Sequence, residues 1–294
     1  MPKLYSSKID KNLQLDKSLQ LENNWFGHKN KKVTLTWING KDFCKKYKQE
    51  LSVYVKSLKN ISNCDHVVIS ADISISFCDF LIENGVHILH PDAILCYDAN
   101  IHNVTISNFI IDRHKVFRAF VNRWHYYLYI ITDAKDIIFQ KDIENDINSV
   151  AYTELLLVSE GMKYNQSEWN RKDMENWMPS WKDDNYDVIN GGIQIGTHVG
   201  LLDFYKIFYE TAEKYPSLKT YTDQAIINFL YHSGQLSFAT VDNKLCLTGE
   251  AAKNNFTDYK LRDGRFYDKR NELFTLVHQW ERLPCRDEII HYYL

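Results

Sequence analysis

Two aspartates, Asp133 and Asp136, follow an apolar run that begins at Tyr127. A run of this length, rich in Tyr and Ile, predicts a strand that is buried on both faces and has the two carboxylates at its carboxyl end. In open α/β sheets this end of the strands is where ligands bind. Carboxylate oxygens are hard ligands that suit Mg²⁺ or Mn²⁺, and such an ion usually also contacts substrate phosphates. The pair therefore predicts a metal site for a phosphate-bearing substrate, although Asp also commonly caps a turn after a strand.

A histidine late in the chain could complete this site. His278 lies near the end of an apolar run over residues 273–280, which predicts another strand. An isolated histidine at such a position is often a hydrogen-bonded structural residue. Together with Asp133 and Asp136 it would form a set of two carboxylates and one imidazole, which suits Mn²⁺.

Two further segments offer polar groups without a motif of their own. Asn190 precedes the pair Gly191 and Gly192 and an alternating apolar strand. Glycines allow a close approach of ligand to backbone, and the Asn190 amide could then bind a hydroxyl group, but an ordinary bend explains the glycines equally well. Asp223 opens a predicted helix, where it could face a cleft or simply act as the N-cap.

The segment 160–187 is polar, rich in tryptophan and predicted to be a long connection. Connections of this length inside a compact domain are usually functional or mobile. Trp169, Trp177 and Trp181 could stack on sugar rings and shape an acceptor site, or they could anchor the segment to the core.

The strands and helices that must position these residues alternate along the chain. Strands are predicted at 33–38, 66–71, 86–89, 155–159 and 188–197, besides the two runs above, and helices at 42–58, 77–81, 108–124, 199–214 and 222–233. Strands separated by helices imply parallel pairing with right-handed crossovers. The fold class is therefore α/β, with a single Rossmann-like sheet, mostly parallel and flanked by helices. No glycine-rich phosphate loop follows the first strand, which disfavours dinucleotide oxidoreductases and P-loop enzymes.

Composition narrows the class of protein further. A chain of 294 residues with 45% hydrophobic residues can form one large domain or two modest ones. A formal net charge of −3 argues against a nucleic-acid partner, which needs a basic face. No apolar stretch is long enough to span a bilayer, and residues 1–32 lack the apolar segment of a signal peptide, so we expect a cytoplasmic protein. The six cysteines form no Cys-x-x-Cys pair and are expected to be reduced.

The order of these segments resembles glycosyltransferases of the A-type fold. The acidic motif of that family often reads Asp-x-x-Asp followed by an apolar pair and Phe-Gln, and residues 133–140 read Asp-Ala-Lys-Asp-Ile-Ile-Phe-Gln. The Asn-Gly-Gly strand, the Asp-Gln helix and the terminal Val-His-Gln follow in the same order. The resemblance covers about residues 33–282. It implies one domain over 33–294, with a nucleotide-binding half at 33–142 and an acceptor-binding half at 143–294, and leaves 1–32 as an N-terminal extension.

What the resemblance implies is a hexosyl- or pentosyltransferase of glycan biosynthesis. Its donor would be a nucleotide-diphosphate sugar, with UDP-sugars favoured, held through Mn²⁺ or Mg²⁺, and its acceptor a hydroxyl of a glycan or glycoconjugate. The implied metal ligands are Asp133, Asp136 and His278. The implied donor-binding residues are Thr36, Trp37, Arg113, Arg118, Asp133, Asn190, Gly191 and Gln224.

The proton acceptor depends on stereochemistry. An inverting enzyme needs a carboxylate to take the proton of the acceptor hydroxyl, and Asp223 is the first candidate, with Glu160 the second. A retaining enzyme needs no such base, and Asp223 would then only position the sugar. The resemblance also extends to glycogenin-type retaining enzymes, but residues 277–282 lack their His-x-x-Gly pattern.

Three other functions fit parts of the sequence. A metal-dependent phosphohydrolase would also use Asp133 and Asp136, but it should show more His and Asp ligands. A non-catalytic carbohydrate- or nucleotide-binding protein would keep the tryptophans without needing the acids, and a degenerate transferase could serve as a scaffold. The apolar residues 289–294 could close a core, meet a second subunit or touch a membrane.

Overall fold

The computed structural model of the chain describes residues 29–38, 40–95, 109–147, 154–181, 185–215, 222–242 and 244–294. A seven-stranded sheet lies at its centre, with the strand order β3-β2-β1-β4-β7-β6-β8. These strands are β1 Lys32–Trp37, β2 Cys64–Ile69, β3 Val86–Leu89, β4 Leu128–Thr132, β6 Leu155–Lys163, β7 Asp187–Gly196 and β8 Ala239–Asp242. The first four pair in parallel, and β6 pairs in parallel with β8. Only β7 runs antiparallel to its neighbours within this sheet, so the predicted mixed, mostly parallel architecture is confirmed.

Helices cover both faces of this sheet. They are α1 Gly40–Lys46, α2 Lys48–Ser57, α3 Ile75–Glu83, α4 Pro91–Leu95, α5 Phe109–Arg123, α6 Glu144–Ile147, α7 Glu168–Trp177, α8 His198–Lys214, α9 Asp223–His232, α10 Gly249–Lys253 and α11 Arg286–Tyr293. Helices α5, α8 and α9 bury Phe120, Phe204 and Ile226 on one face of the sheet. Helices α2 and α3 bury Tyr54 and Leu81 on the other. Both faces of the central strands are therefore shielded from water. This explains why apolar residues occur on both faces of these strands.

A second, three-stranded sheet carries the late histidine. It consists of β5 Ile137–Phe139, β12 Leu276–His278 and β9 Cys246–Thr248, with β12 in the middle, antiparallel to β5 and parallel to β9. A hairpin of β10 Lys260–Arg262 and β11 Arg265–Tyr267 packs beside it. The strand predicted to end at the acidic motif is confirmed as β4, which stops directly before Asp133. The strand predicted over 273–280 is shorter, since β12 covers Leu276–His278, although His278 ends it as expected. Beyond the acidic motif the chain forms β5, which belongs to the small sheet and pairs with β12.

Two other predicted elements differ from the structure. The helix predicted over 42–58 is two helices, α1 and α2, because the backbone at Tyr47 has φ −112° and ψ 33°. The long connection predicted over 160–187 is largely ordered secondary structure, since β6 continues to Lys163, a 3₁₀ turn spans Tyr164–Gln166, and α7 follows. Ser167 accepts a bond from the Asn170 N–H and so caps α7, a signal that the tryptophan-rich composition obscured.

Other expectations concern the ends of the chain and its thiols. Residues 1–28 of the predicted extension lie outside the described residues, as does Cys96. Cys44, Cys64, Cys78, Cys246 and Cys285 are free thiols. Among the helices in the described ranges, none combines the length and the apolar character needed to cross a membrane.

Candidate active site

The acidic motif lies at the junction of the two sheets. Asp133 directly follows β4, and its N–H donates to the Gly192 carbonyl of β7 at 2.8 Å. The Thr36 hydroxyl at the end of β1 donates to the Thr132 carbonyl at 2.7 Å. Asp136 directly precedes β5, and its carbonyl accepts from the Gln279 N–H at 2.8 Å. The backbone on both sides of the motif is thus held by neighbouring strands.

The structure brings together the three residues predicted to bind a metal. His278 is paired with Ile137 across β12 and β5, which places its ring beside the motif. Its Nε2 lies 3.6 Å from Oδ2 of Asp136 and 3.9 Å from Oδ2 of Asp133. One ligand atom from each of the three residues lies within 4.8 Å of the other two. A single ion could therefore contact all three side chains.

The burial and charge of the Asp136 side chain suit a bound cation. Its side chain is buried, and its Oδ1 atom has no hydrogen-bond partner. Burial disfavours its charged form, yet the nearby His278 and Lys135 hold the pKa of the Asp136 carboxyl well below its ordinary value. A buried, charged oxygen without a partner is costly unless a cation binds it. Two carboxylates and one imidazole form a donor set that suits Mn²⁺ and also accepts Mg²⁺.

Asn190 orients the imidazole from below the cavity. Its Oδ1 accepts from the Gly192 N–H, and its Nδ2 donates to Oε1 of Glu160 at 2.8 Å. The same Nδ2 lies 2.9 Å from Nδ1 of His278. Because an amide nitrogen only donates, Nδ1 accepts this bond, and the proton of the neutral ring is on Nε2, facing the carboxylates. Metal binding at Nε2 would displace this proton.

Lys135, inside the acidic motif, holds Asp136 from outside the cavity. Its Nζ lies 3.1 Å from Oδ2 of Asp136 and 3.2 Å from Oε1 of Glu281. Ala134 and Lys135, between the two acids, had no role predicted from the sequence. The only local signal was a lysine next to a carboxylate expected to be buried.

Arg113 joins the acidic motif to the second half of the chain. Its Nη1 lies 2.6 Å from Oδ1 of Asp133, and its Nη2 lies 2.6 Å from Oδ2 of Asp223. The guanidinium extends from α5, the helix before the acid-bearing strand, as the resemblance implied. Its planar fork of donors can bind two carboxylates at once, which an ammonium group cannot do with the same geometry.

Asp223 is buried between two nitrogen groups. Besides Arg113, Nε2 of His114 lies 2.7 Å from its Oδ2. Burial disfavours its charged form, but Arg113 and His114 outweigh this and lower the pKa of Asp223 to about 2. A carboxylate this weakly basic is a poor proton acceptor near neutral pH. The N-cap role considered for this position is not seen, because Asp223 is the first residue of α9 and Thr222 uses its hydroxyl to bind Asp173.

His114 was missed by the sequence analysis. Its ring is fully buried, with its centre 4.8 Å from that of Phe208, and burial lowers its pKa. In the sequence it is one of four consecutive polar residues, Asp112 to Lys115, and has no feature that separates it from a surface position. Only its position after Arg113 indicated that it could face the same cluster.

Gly191 and Gly192 of β7 pack closely against the side chains of Gln224 and Asp133. Gln224 accepts from the Gly191 N–H at 2.8 Å and donates to Asn170 at 2.5 Å. A Cβ atom on Gly191 would lie 2.9 Å from Cβ of Gln224, and one on Gly192 would lie 2.5 Å from Oδ2 of Asp133. The glycines therefore allow strand β7 to approach these side chains.

A cavity of about 500 Å³ opens over these groups. The residues of the sequence prediction that line it are Arg113, Asp133, Asp136, Glu160, Gly191, Asp223, Gln224 and His278. Trp169, one of the three tryptophans considered as sugar platforms, also lines it. Glu250, Gln279 and Arg282 line it as well and were not assigned a role from the sequence.

Four predicted residues lie outside the lining of this cavity. Asn190 contacts the His278 ring behind the cavity wall, and the Thr36 hydroxyl donates to the Thr132 carbonyl. Trp37 is buried in the core on one face of the central sheet. Arg118 is further along α5, where its charge acts on Tyr209.

Comparisons with known proteins agree on the fold. No family model matches the chain, and a search of curated proteins finds no match. An active-site variant of the galactosyltransferase LgtC superposes with a TM-score of 0.52 at 14% identity, over 84% of this chain and 86% of that chain. The apo form of the glycosyltransferase GlyE from Streptococcus pneumoniae TIGR4 gives 0.53 at 14% identity, over 90% of this chain and 60% of that chain. The bifunctional glycosyltransferase WbbM gives 0.51 at 11% identity, over 90% and 49%.

The chain therefore spans less than two thirds of GlyE and WbbM and most of LgtC. The likeness to these three neighbours extends over 84% to 90% of this chain and is a likeness of fold. The acidic group of this chain lies at the end of β4, where that sheet meets the small one. The chain has the fold of the A-type glycosyltransferases.

Proposed function

We propose that the protein is a glycosyltransferase that moves a sugar from a nucleotide-diphosphate sugar to a hydroxyl group of a glycan acceptor. One observation carries the proposal: Asp133, Asp136 and His278 meet at the wall of a cavity that also contains the Arg113–Asp223 pair. This cavity lies at the carboxyl end of the parallel strand β4, and open α/β sheets bind ligands at that end of their strands. UDP-sugars are the favoured donors.

Asp133, Asp136 and His278 would hold Mn²⁺ or Mg²⁺. When bound, the ion would neutralise the diphosphate and stabilise, as a Lewis acid, the charge that grows on the leaving oxygen. Lys135 and Asn190 would keep Asp136 and His278 in place for this task, since groups that orient metal ligands also tune the affinity for the metal.

Arg113, Asp223 and Gln224 would bind the donor sugar. Hydroxyl groups need donors and acceptors at fixed positions, and these three side chains are fixed by their mutual and backbone bonds. Because the pKa of Asp223 is about 2, we assign it to positioning the sugar rather than to removing a proton. Glu160 is already an acceptor for Asn190, which favours a structural role for its carboxylate as well.

A titration of Mn²⁺ with UDP-, GDP- and CMP-sugars tests this function. Thermal shift and donor hydrolysis would be followed in the wild type, in Asp136→Asn and in Asp287→Asn. Asp136→Asn keeps the shape of the side chain but removes the charge that the metal needs. The control residue Asp287 has a side chain that is 95% exposed, on the terminal helix.

We expect one nucleotide class to stabilise the wild type and Asp287→Asn only when Mn²⁺ is present. Asp136→Asn should lose this stabilisation together with donor hydrolysis. Mn²⁺-dependent release of inorganic phosphate from simple phosphate esters would instead favour a phosphohydrolase. Nucleotide binding without turnover of any donor in the presence of sugars would favour a non-catalytic binding protein.

A further inference from the structure

Trp169 differs from the other tryptophans whose surroundings the structure describes. Its side chain, in the first turn of α7, is 58% exposed. Trp37, Trp124, Trp177 and Trp280 are buried, and Trp181 packs partly buried against the core. Of the three tryptophans that the sequence offered as sugar platforms or anchors, Trp177 and Trp181 are therefore anchors, and Trp169 is not. A single exposed ring is ordinary on a protein surface, and what distinguishes Trp169 is the place where its ring lies.

The exposed indole lines the same cavity as the acidic group. Apart from the imidazole of His278, it is the only aromatic ring among the described residues of the cavity wall. Most of the remaining wall is charged or amide-bearing. Trp169 therefore provides a flat apolar surface within a polar cavity, which suits a ligand that has both a hydroxyl-rich edge and an apolar face.

The backbone that carries Trp169 is fixed to the start of α9. Asn170, the next residue, accepts from Nε2 of Gln224 at 2.5 Å. One turn later, the carboxylate of Asp173 accepts from the Thr222 N–H at 2.9 Å and also binds the Thr222 hydroxyl. Thr222 and Gln224 flank Asp223. The indole therefore lies on an element whose position relative to the sugar-binding pair is set by buried hydrogen bonds.

Topology separates this wall from the nucleotide-binding half of the sheet. Helix α7 follows β6, and its partner α9 packs on β7. Both strands are on one side of β4, whereas β1, β2 and β3 are on the other. With the diphosphate at Asp133 and Asp136, at the end of β4, the elements that carry Trp169 lie on the side of β4 away from the first three strands.

We propose that Trp169 forms the acceptor subsite and binds a pyranose ring by stacking against the apolar C–H face of the sugar. This inference rests on the proposed function, and it names the class of acceptor: a glycan whose reacting unit, or the unit next to it, has an uninterrupted C–H face. The hydroxyl groups on the ring edge remain free to reach the polar wall.

Saturation-transfer NMR tests the subsite without requiring turnover. The probes are methyl β-galactoside, methyl β-glucoside, methyl β-N-acetylglucosaminide and lactose, each added to protein with Mn²⁺ and UDP. We expect saturation to concentrate on the C–H protons of one ring face in the wild type. Trp169→Ala should weaken binding of that sugar about tenfold, and Trp169→Phe should restore part of it.

The affinity for UDP with Mn²⁺, measured by calorimetry, is expected to change less than about twofold in Trp169→Ala, which separates this subsite from the donor site. Phe256→Ala is the matched control, because Phe256 is an aromatic residue that is 42% exposed and lies outside this cavity.

The proposal is overturned if no probe receives saturation from the wild type, or if Trp169→Ala binds the sugars as the wild type does. It is also overturned if Trp169→Ala loses UDP affinity by the same factor, because the indole would then be a platform for the base. If the wild type does not bind UDP, the proposed donor is contradicted but the subsite is not, because binding of the sugar probes is measured separately by saturation transfer.

Discussion

Arg113 and Asp223 are 110 positions apart in the chain, yet Nη2 of the arginine lies 2.6 Å from Oδ2 of the aspartate. The same guanidinium binds Asp133 through Nη1, so one side chain joins the acidic motif to the first turn of α9. Burial disfavours the charged form of Asp223, but this guanidinium, which cannot lose its charge, lowers the pKa of Asp223 together with His114. The proposed metal-binding group and the proposed sugar-binding wall are therefore joined through Arg113.

Replacement of Arg113 tests this coupling. Arg113→Ala removes the shared partner of two carboxylates, one of them buried, and we expect it to lower the free energy of unfolding by about 3 kcal/mol. Donor turnover should fall by about two orders of magnitude, because Asp133 and Asp223 are no longer held at fixed positions in the cavity. Chemical denaturation and a donor-hydrolysis assay measure the two effects. Arg118→Ala, on the same helix but outside the cavity, should leave turnover close to that of the wild type, and an equal loss would contradict the assignment.

Gly192→Ala should disturb the metal-binding group with little effect on the fold. The new Cβ atom would lie 2.5 Å from Oδ2 of Asp133, so the carboxylate must turn away. We expect affinity for Mn²⁺, measured by calorimetry, to fall about tenfold. At Gly191 the new methyl group would instead lie 3.0 Å from Cα of Gln224, which cannot move independently. Gly191→Ala should therefore lower the free energy of unfolding more than Gly192→Ala does. The reverse order would show that the Asp133 carboxylate cannot rotate away from the new methyl group.

The salt bridge at the start of β1 makes stability depend on pH. Nζ of Lys32, whose side chain is fully buried, lies 2.7 Å from Oδ1 of Asp142. Burial disfavours the charged form of Asp142, but the bonds from Lys32 and Ser62 outweigh this and lower its pKa from 3.8 to about 2. Because the folded pKa is below the unfolded one, the stabilisation is complete above about pH 4 and is lost as the pH falls towards 2.

Asp142→Asn is the variant that checks this dependence. At pH 7 we expect its free energy of unfolding to be about 2 kcal/mol lower than that of the wild type, because Lys32 retains only the more exposed Glu144. Urea denaturation at several pH values should show the difference shrinking between pH 4 and pH 2. The exposed Asp287→Asn should show no such convergence, and a difference that persists unchanged at pH 2 would contradict the linkage.

Gln140 joins the small sheet to the β10–β11 hairpin. Its Nε2 donates to the Phe274 carbonyl at 2.9 Å and the Phe266 carbonyl at 3.1 Å, and its Oε1 accepts from the Phe266 N–H at 2.7 Å. Gln140→Met keeps the volume but removes a partner of the Phe274 carbonyl and of the Phe266 N–H, so we expect a loss of about 3 kcal/mol. The Phe266 carbonyl keeps its bond from the Phe274 N–H. Thermal unfolding measures the loss, with Gln235→Met, at an exposed glutamine, as the control. A loss within error of the control would show that the backbone groups find other partners.

Local sequence determined the alternation of strands and helices and therefore the class of fold. Apolar residues of β1, β2, β3 and β4 pack on both faces of the sheet, and although polar residues such as Thr34, Thr36 and His66 interrupt them, the pattern is visible without a structure. The acidic motif and the late histidine were equally visible, since hard ligands after apolar strands form a recognisable chemical pattern. The order of the motifs was sufficient to indicate the A-type glycosyltransferase fold.

Tertiary structure alone decided which of these residues meet. Strand β5 leaves the central sheet to pair with β12, and this pairing, which spans more than a hundred residues, places His278 beside Asp136. The sequence offered Trp169, Trp177 and Trp181 alike as sugar platforms or anchors, and only the structure showed that Trp169 is the exposed one, because exposure depends on which neighbours cover a ring. Periodicity reports local burial, whereas the contacts of Arg113, His114 and Trp169 depend on how distant elements pack, and no local pattern records that packing.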